Sequence, residues 1–242
     1  VSDPWSWLGL FVLLAYTVEA VTGFGSIVIA LSLGALLLPI TAMLPVLVPL
    51  NIVMSGYLTI RHRRRIDRPT LFGRILPLMT VGTALGYLLR PVLSGAPLRV
   101  MLGVLIVGFA GRELWRLRGG VPRPHRPAVG AALMLGAGTT HGLFASGGPL
   151  LAFALAGSPL DKSALRATLI AVWFSLNSLL TVMFAVDGSL WPALPRVMGY
   201  LPLVLIGIVV GEWLHRRVDE LRFRRLVFAA LAVTGAALIV PA

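Results

Sequence analysis

Eight apolar runs, separated by short connections that hold nearly all of the charge, leave this chain few folds to choose from. They are Leu8 to Leu38, Leu44 to Ile60, Leu71 to Leu89, Leu98 to Leu114, Ala128 to Ala156, Leu169 to Val186, Val197 to Leu214 and Leu226 to Val240. An α-helix rises about 1.5 Å per residue, so about 20 apolar residues cross a ~30 Å hydrocarbon core. Most of the runs have that length. The 242 residues are 57% hydrophobic and 12% charged, which is more apolar matter than a soluble globule of this size buries. An all-α integral membrane protein is therefore expected. The chain has no cysteine, which excludes a disulfide scaffold, thiolate metal sites and a cysteine nucleophile. Val1 to Trp7 contains Asp3 and no Lys or Arg, and reads as mature sequence rather than as a cleavable signal.

Cytoplasmic loops retain positive charge, so the cations set the orientation. There are 21 Lys plus Arg against 9 Asp plus Glu, and Lys162 is the single lysine. Three connections are rich in Arg: Arg61 to Arg68, Arg112 to Arg126 and Arg216 to Arg225. Placing all three inside requires an even number of crossings between Arg126 and Arg216, where three runs lie. The parity is restored if the run from Ala128 to Ala156 enters and leaves on the cytoplasmic side as a broken hairpin. Its Ala145-Ser146-Gly147-Gly148-Pro149 segment supplies the break. Two arms of about 14 residues would each reach ~20 Å, past the midplane.

The chain also matches itself weakly. Glu19 faces His141, Gly25 faces Gly147, Asn51 faces Asn177, and the G-x-x-x-G pair Gly82 and Gly86 faces Gly207 and Gly211. The order of these features is the same in both halves. The first run, with its own break at Thr22-Gly23-Phe24-Gly25-Ser26, then becomes a second hairpin, entering from outside. The expected organisation is an N-terminal repeat over residues 1–118, with hairpin 8–38 and spans 44–60, 71–89 and 98–114. A cytoplasmic linker covers 119–127. A C-terminal repeat covers 128–242, with hairpin 128–156 and spans 169–186, 197–214 and 226–240. A hairpin plus three crossings inverts one half relative to the other, with both termini periplasmic in a bacterial inner membrane. Inverted repeats with paired broken helices are how secondary transporters build a midplane site.

The residues at the breaks suit a negatively charged cargo. A helix that starts inside the membrane presents free N–H groups and a partial positive charge. Thr22, Gly23, Gly25 and Ser26 at one tip, and Ser146, Gly147 and Gly148 at the other, supply small side chains, hydroxyls and approachable backbone. Asn51 and Asn177 sit near the centres of apolar runs and must face inward, where their amides either bond to each other's helices or hold ligand oxygens. Glu19 and His141 are ionisable groups well inside hydrophobic runs, and are candidates for proton or ion coupling. The expected site is a small anion held between the two tips and flanked by the asparagines. The G-x-x-x-G pairs read as helix-packing surfaces.

Other chemistries find less support. Phe144-Ala145-Ser146-Gly147 loosely resembles an intramembrane serine-protease motif, with His141 too close in sequence to be its partner. Lys162 follows no glycine-rich loop, so there is no phosphate-binding P-loop. His62, His125 and His215 all lie in basic connections, so no metal site and no cofactor are expected. The Arg clusters are explained by topology and anionic headgroups rather than by nucleic acid. The expected partners are a small anion and the lipid bilayer. The competing readings are an anion channel, or a carrier of another carboxylate or oxyanion.

The two glycine-rich breaks, the entries into the following spans at Pro39 to Ala42 and Asp161 to Ala167, and the mid-span Asn51 and Asn177 together resemble the TauE/SafE sulfite exporter family over nearly the whole chain. The first break carries Gly-Phe-Gly-Ser in place of that family's longer glycine run. The resemblance implies transport of sulfite, sulfoacetate or related organosulfur anions, and no enzymatic activity. An inside-negative potential would favour outward movement of such an anion by about 2.3 kcal/mol per charge per 100 mV.

Overall fold

Apolar runs in lipid have one way to satisfy their backbone without a closed barrel, and the chain takes it. The computed structural model describes residues 3–22, 25–93, 95–117, 125–155, 158, 160–215 and 217–240. Among these residues every regular element is helical: α1 (Pro4–Thr22), α2 (Ser26–Gly34), α3 (Ile40–His62), α4 (Arg68–Thr70), α5 (Leu76–Leu89), α6 (Ala96–Arg116), α7 (Pro127–Phe144), α8 (Gly148–Ala154), α9 (Lys162–Val186), α10 (Leu190–His215) and α11 (Glu220–Ile239). A π-helical stretch, Leu71–Ile75, joins α4 to α5. Among the described residues five segments are long and apolar enough to cross a membrane: Pro4–Val21, Ile40–Arg65, Arg68–Leu89, Ser163–Val186 and Leu190–His215. Large apolar side chains point outward along them and their neighbours, including Leu88 at 69% and Val233 at 71% exposure, which lipid rather than water suits.

Several helices begin before the apolar run does, because a carboxylate caps them. Asp161 accepts from the Ser163 and Ala164 N–H groups at 2.8 and 2.9 Å, which starts α9 at Lys162 rather than at Leu169. Asp219 accepts from Arg222 N at 3.0 Å and starts α11. Asp67 does the same for α4 through Thr70 N at 2.9 Å.

The described helices fall into two compact units, each drawing on both halves of the sequence. The first contains Val1–Leu47, Leu93–Val121 and Ala193–Ala242. In it α2 folds back along α1, so that a Cβ on Gly34 would lie 3.0 Å from Leu8 Cδ1. The α1 helix packs on α10 at Gly207 and Gly211, where an added Cβ would come within 2.9 Å of Leu13 O and 2.5 Å of Thr17 O. Tyr200 donates to Trp5 O at 2.5 Å, and the Arg196 guanidinium lies 4.0 Å above the Trp5 ring. The α6 and α11 helices meet backbone to backbone at Gly103 and Gly235, where an added Cβ on Gly103 would reach Gly235 O at 2.7 Å.

The second unit contains Val48–Val92 and Pro122–Pro192. Here α8 folds back along α7, and the Phe153 carbonyl, near the end of α8, lies 3.0 Å from His125 Nε2, just before α7 begins. The α7 helix packs on α5 through Gly82, Gly86, Gly138 and Gly142; a Cβ on Gly82 would overlap the Leu135 carbonyl oxygen, and one on Gly86 the Thr139 carbonyl oxygen. Such contacts need the absence of a side chain. A core of Leu71, Ile75, Met79, Ala137, Leu151, Val172 and Leu176 joins α5, α7, α8 and α9.

The arms of this hairpin differ from the two 14-residue arms expected from the sequence. The α7 helix has 18 residues and α8 only 7, so the first arm alone rises about 27 Å. Two local choices cause the asymmetry. Pro127 in the first turn starts α7 at the head of the run, and the chain does not leave the helix until Ala145. The α1 and α2 helices are unequal in the same sense, with 19 and 9 residues.

Candidate functional site

In the second unit, α7 stops because Ala145 adopts φ 51, the left-handed region, costing a non-glycine residue about 1 kcal/mol. Ala145 N still donates to His141 O at 2.6 Å, closing the last turn. Gly147 then turns back so tightly that a Cβ would overlap the Ala137 carbonyl oxygen. Pro149 lies in the first turn of α8, where its missing N–H costs nothing. This sequence of constraints leaves Ser146 at the break, 4% exposed, with a hydroxyl that has no hydrogen-bond partner.

Two mid-span amides face each other in the same unit. Asn177 Nδ2, on α9, donates to Asn51 Oδ1, on α3, at 2.8 Å. Both side chains are buried, at 1% and 5% exposure, and Asn177 Oδ1 has no partner. His141, fully buried on α7, lies beside the Asn177 side chain. The ring faces the Asn177 amide without closing a hydrogen bond of good geometry, and it stacks on Trp173 with centroids 5.8 Å apart and planes 23° apart. Trp173 in turn lies against Gly148, where a Cβ would meet Trp173 Cζ2 at 3.5 Å. Near the break the groups without a partner are the Ser146 hydroxyl, the His141 ring nitrogens and Asn177 Oδ1; elsewhere in the same unit Thr83 Oγ1, Arg90 Nε and Thr181 Oγ1 also lack one. Each orphaned buried polar group costs about 1–3 kcal/mol, and natural proteins keep few of them. An ordered water or a ligand completes such groups where one binds.

The break in the first unit is finished differently. Gly25 has φ 102, a conformation that only glycine adopts without strain, and precedes α2. The first N–H of α2, on Ser26, donates to Glu19 Oε2 at 3.0 Å. A carboxylate from the chain itself therefore occupies the place where a helix N-terminus receives an anion. Gly23 and the Thr22 side chain, named from the sequence with these residues, lie outside the described residues.

Sequence reasoning missed three contributors. Trp173 is mid-span, unlike Trp5, Trp7, Trp115, Trp191 and Trp213 near the ends of their runs, and that exception was the available signal. Arg90 reads as loop charge from the sequence but is buried at 8% exposure beside Tyr87, Phe184 and Gly142. Asp187 closes that cluster, accepting from Ser189 N at 2.8 Å and from the Tyr87 hydroxyl. Burial disfavours its charge, but these hydrogen bonds and the Arg90 guanidinium prevail, and its carboxyl ionises below the usual carboxylate range.

The hydrolytic alternative finds no support in this geometry, since the Ser146 hydroxyl and the His141 ring share no hydrogen bond. Among the described residues no group of three or more His, Asp or Glu side chains is placed to hold a metal ion.

No curated protein and no solved structure is significantly similar to the chain. The sequence profile of the sulfite exporter TauE/SafE family, by contrast, matches residues 8–238. Nearly the whole chain, breaks and mid-span asparagines included, falls within that match, and the protein is a membrane transporter belonging to the sulfite exporter TauE/SafE family.

Proposed function

We propose that this chain exports a small oxyanion, sulfite or an organosulfonate, by alternating access across a bacterial inner membrane, and that it is a carrier rather than an enzyme. The observation that carries this reading is the set of unpartnered buried groups at Asn177, His141 and Ser146. Their chemistry matches a sulfur oxyanion. A sulfonate or sulfite oxygen accepts from the Ser146 hydroxyl and from an imidazole N–H, and the hydroxyl of a protonated sulfite donates to Asn177 Oδ1. Gly147 and Gly148 let backbone approach the ligand, and Asn51 fixes the orientation of the Asn177 amide through the 2.8 Å bond.

At the other break Glu19 acts as a built-in anion, holding the Ser26 N–H until cargo or a proton displaces it. Gly25 and Ser26 form that second binding tip. His141 is the companion proton-coupling residue. The potential alone drives an exported anion outward by about 2.3 kcal/mol per charge per 100 mV, so proton coupling refines the cycle rather than powering it.

The two halves, 1–118 and 128–242, are read as inverted repeats joined by a cytoplasmic linker, with both termini periplasmic. Two packing facts support this. Each half carries a long arm followed by a short one, α1 with α2 and α7 with α8. Each long arm packs on the G-x-x-x-G helix of the other half, α7 on Gly82 and Gly86, and α1 on Gly207 and Gly211. The test is uptake of sulfite and of short-chain sulfonates into proteoliposomes. Saturable uptake that falls with Ser146→Ala supports the reading; flux proportional to concentration, without saturation, would mark a channel and reject it.

A further inference from the structure

An arginine at the end of a membrane span ordinarily snorkels, its stem along the lipid and its head in water. Arg90, directly after α5, does the opposite and is 8% exposed. Its Nη2 donates to Gly142 O at 2.9 Å, and its guanidinium carbon lies 4.5 Å above the Tyr87 ring and 4.9 Å above the Phe184 ring. Those two rings are themselves in contact, with centroids 5.9 Å apart. Tyr87 donates its hydroxyl to Asp187, so a carboxylate stands behind the cation.

The position of the acceptor gives the arrangement its meaning. The last four carbonyls of a helix have no partner within it, and they form its negative pole. In α7 the carbonyl of His141 takes Ala145 N, and that of Gly142 takes Arg90. Gly142 also touches α5 through backbone, since a Cβ there would meet Tyr87 N at 2.7 Å and Gly86 Cα at 2.9 Å. One cation thus ties the end of α7 to α5 directly and to α9 through Phe184. Ser146 follows Gly142 by about one helical turn, and His141 precedes it by one residue.

We propose that Arg90 is a positioning residue, a clamp on the end of α7 that holds the Ser146–Gly148 break and His141 in the arrangement that receives the cargo. The proposal rests on that break being a ligand site. A planar guanidinium does two things at once that a lysine cannot: it lies against two aromatic faces and aims an N–H in its own plane at a carbonyl. The clamp therefore requires arginine specifically, and its loss frees the tip without removing any group that touches the ligand.

Hydrogen exchange read by mass spectrometry on the full chain in nanodiscs, paired with sulfite flux in proteoliposomes, tests this on Arg90→Gln, Arg90→Lys and the milder Phe184→Leu. Exchange of the 143–148 amides should rise at least tenfold in Arg90→Gln and less in the other two, with α6 and α11 unchanged. The KM for sulfite should rise about tenfold in Arg90→Gln while kcat stays within about twofold. Unchanged exchange at 143–148 overturns the clamp, as does a rise spread evenly over α5, α7 and α9, which would mean general loosening. A loosened tip with an unchanged KM also overturns it. If Arg90→Gln does not fold, Phe184→Leu decides by the same readouts. Should the wild-type protein carry neither sulfite nor a sulfonate, the assignment of cargo fails, while the exchange measurement still decides the clamp.

Discussion

Replacing both Asn51 and Asn177 by leucine separates the cost of the amide pair to folding from its value to transport. An amide–amide hydrogen bond between membrane helices contributes about 1 kcal/mol, and the double variant loses at least the one at 2.8 Å between Asn177 and Asn51. It also loses the orphaned Asn177 Oδ1, a liability of about 1–3 kcal/mol. Leucine shares the branched skeleton of asparagine, but its methyl groups are bulkier than the amide, so overpacking costs about 1–3 kcal/mol. The contributions offset one another to within about 2 kcal/mol, and the melting temperature in detergent should shift by no more than a few degrees. Transport should weaken instead. The amide contact to cargo, at Asn177 Oδ1, is worth about 1 kcal/mol, and its loss amounts to about a fivefold rise in KM for sulfite. The single variants mislead, because each strands the other amide. Thermal melting and proteoliposome flux on the double variant are the measurements. A large fall in melting temperature with an unchanged KM would show that the asparagines are a structural bolt and refute the reasoning.

Three further outcomes follow from the geometry. Gly86→Ala should strongly impair folding or membrane yield, because its Cβ would overlap the Thr139 carbonyl oxygen, while Gly108→Ala, with open space around it, should be neutral; equal yields would contradict the packing. Single cysteines at Ser158 and Ser189 should label with an impermeant maleimide from opposite faces of the membrane, and Ser158 labelling from outside would remove the second hairpin. Asp187 ionises below its ordinary range, so its contribution to stability is present above a pH of about 3.9 and lost as pH falls through the depressed value. The melting difference between wild type and Asp187→Asn should therefore be constant from pH 5 to 8 and shrink below about pH 4; a difference that changes between pH 6 and 8 would assign the effect to another group.

The membrane fold was legible because hydropathy and charge segregation act over whole helices, where no single contact decides the outcome. Element ends were less so. The apolar run at Leu169 does not reveal that Asp161 caps its helix eight residues earlier, since a cap is a local hydrogen bond rather than a matter of hydropathy. The arms of α7 and α8 depend on one left-handed residue, Ala145, and alanine carries no mark of that conformation. Asn51 and Asn177 stood out as polar groups in apolar surroundings. Arg90 did not, because a cation at the end of a run looks like loop charge whether it points to water or into the protein. The G-x-x-x-G pairs announced close packing but not their partners; that Gly82 and Gly86 take α7 while Gly207 and Gly211 take α1 is a tertiary choice.

The most direct test of an oxyanion carrier is counterflow in proteoliposomes loaded with unlabelled sulfite and diluted into labelled sulfite. A protein that binds its cargo and turns over should show transient accumulation of label above the outside concentration, faster than uptake into empty vesicles and reduced by Ser146→Ala. Label that only equilibrates, at a rate indifferent to what the vesicles contain, would contradict a carrier whose cargo is held at the α7–α8 break.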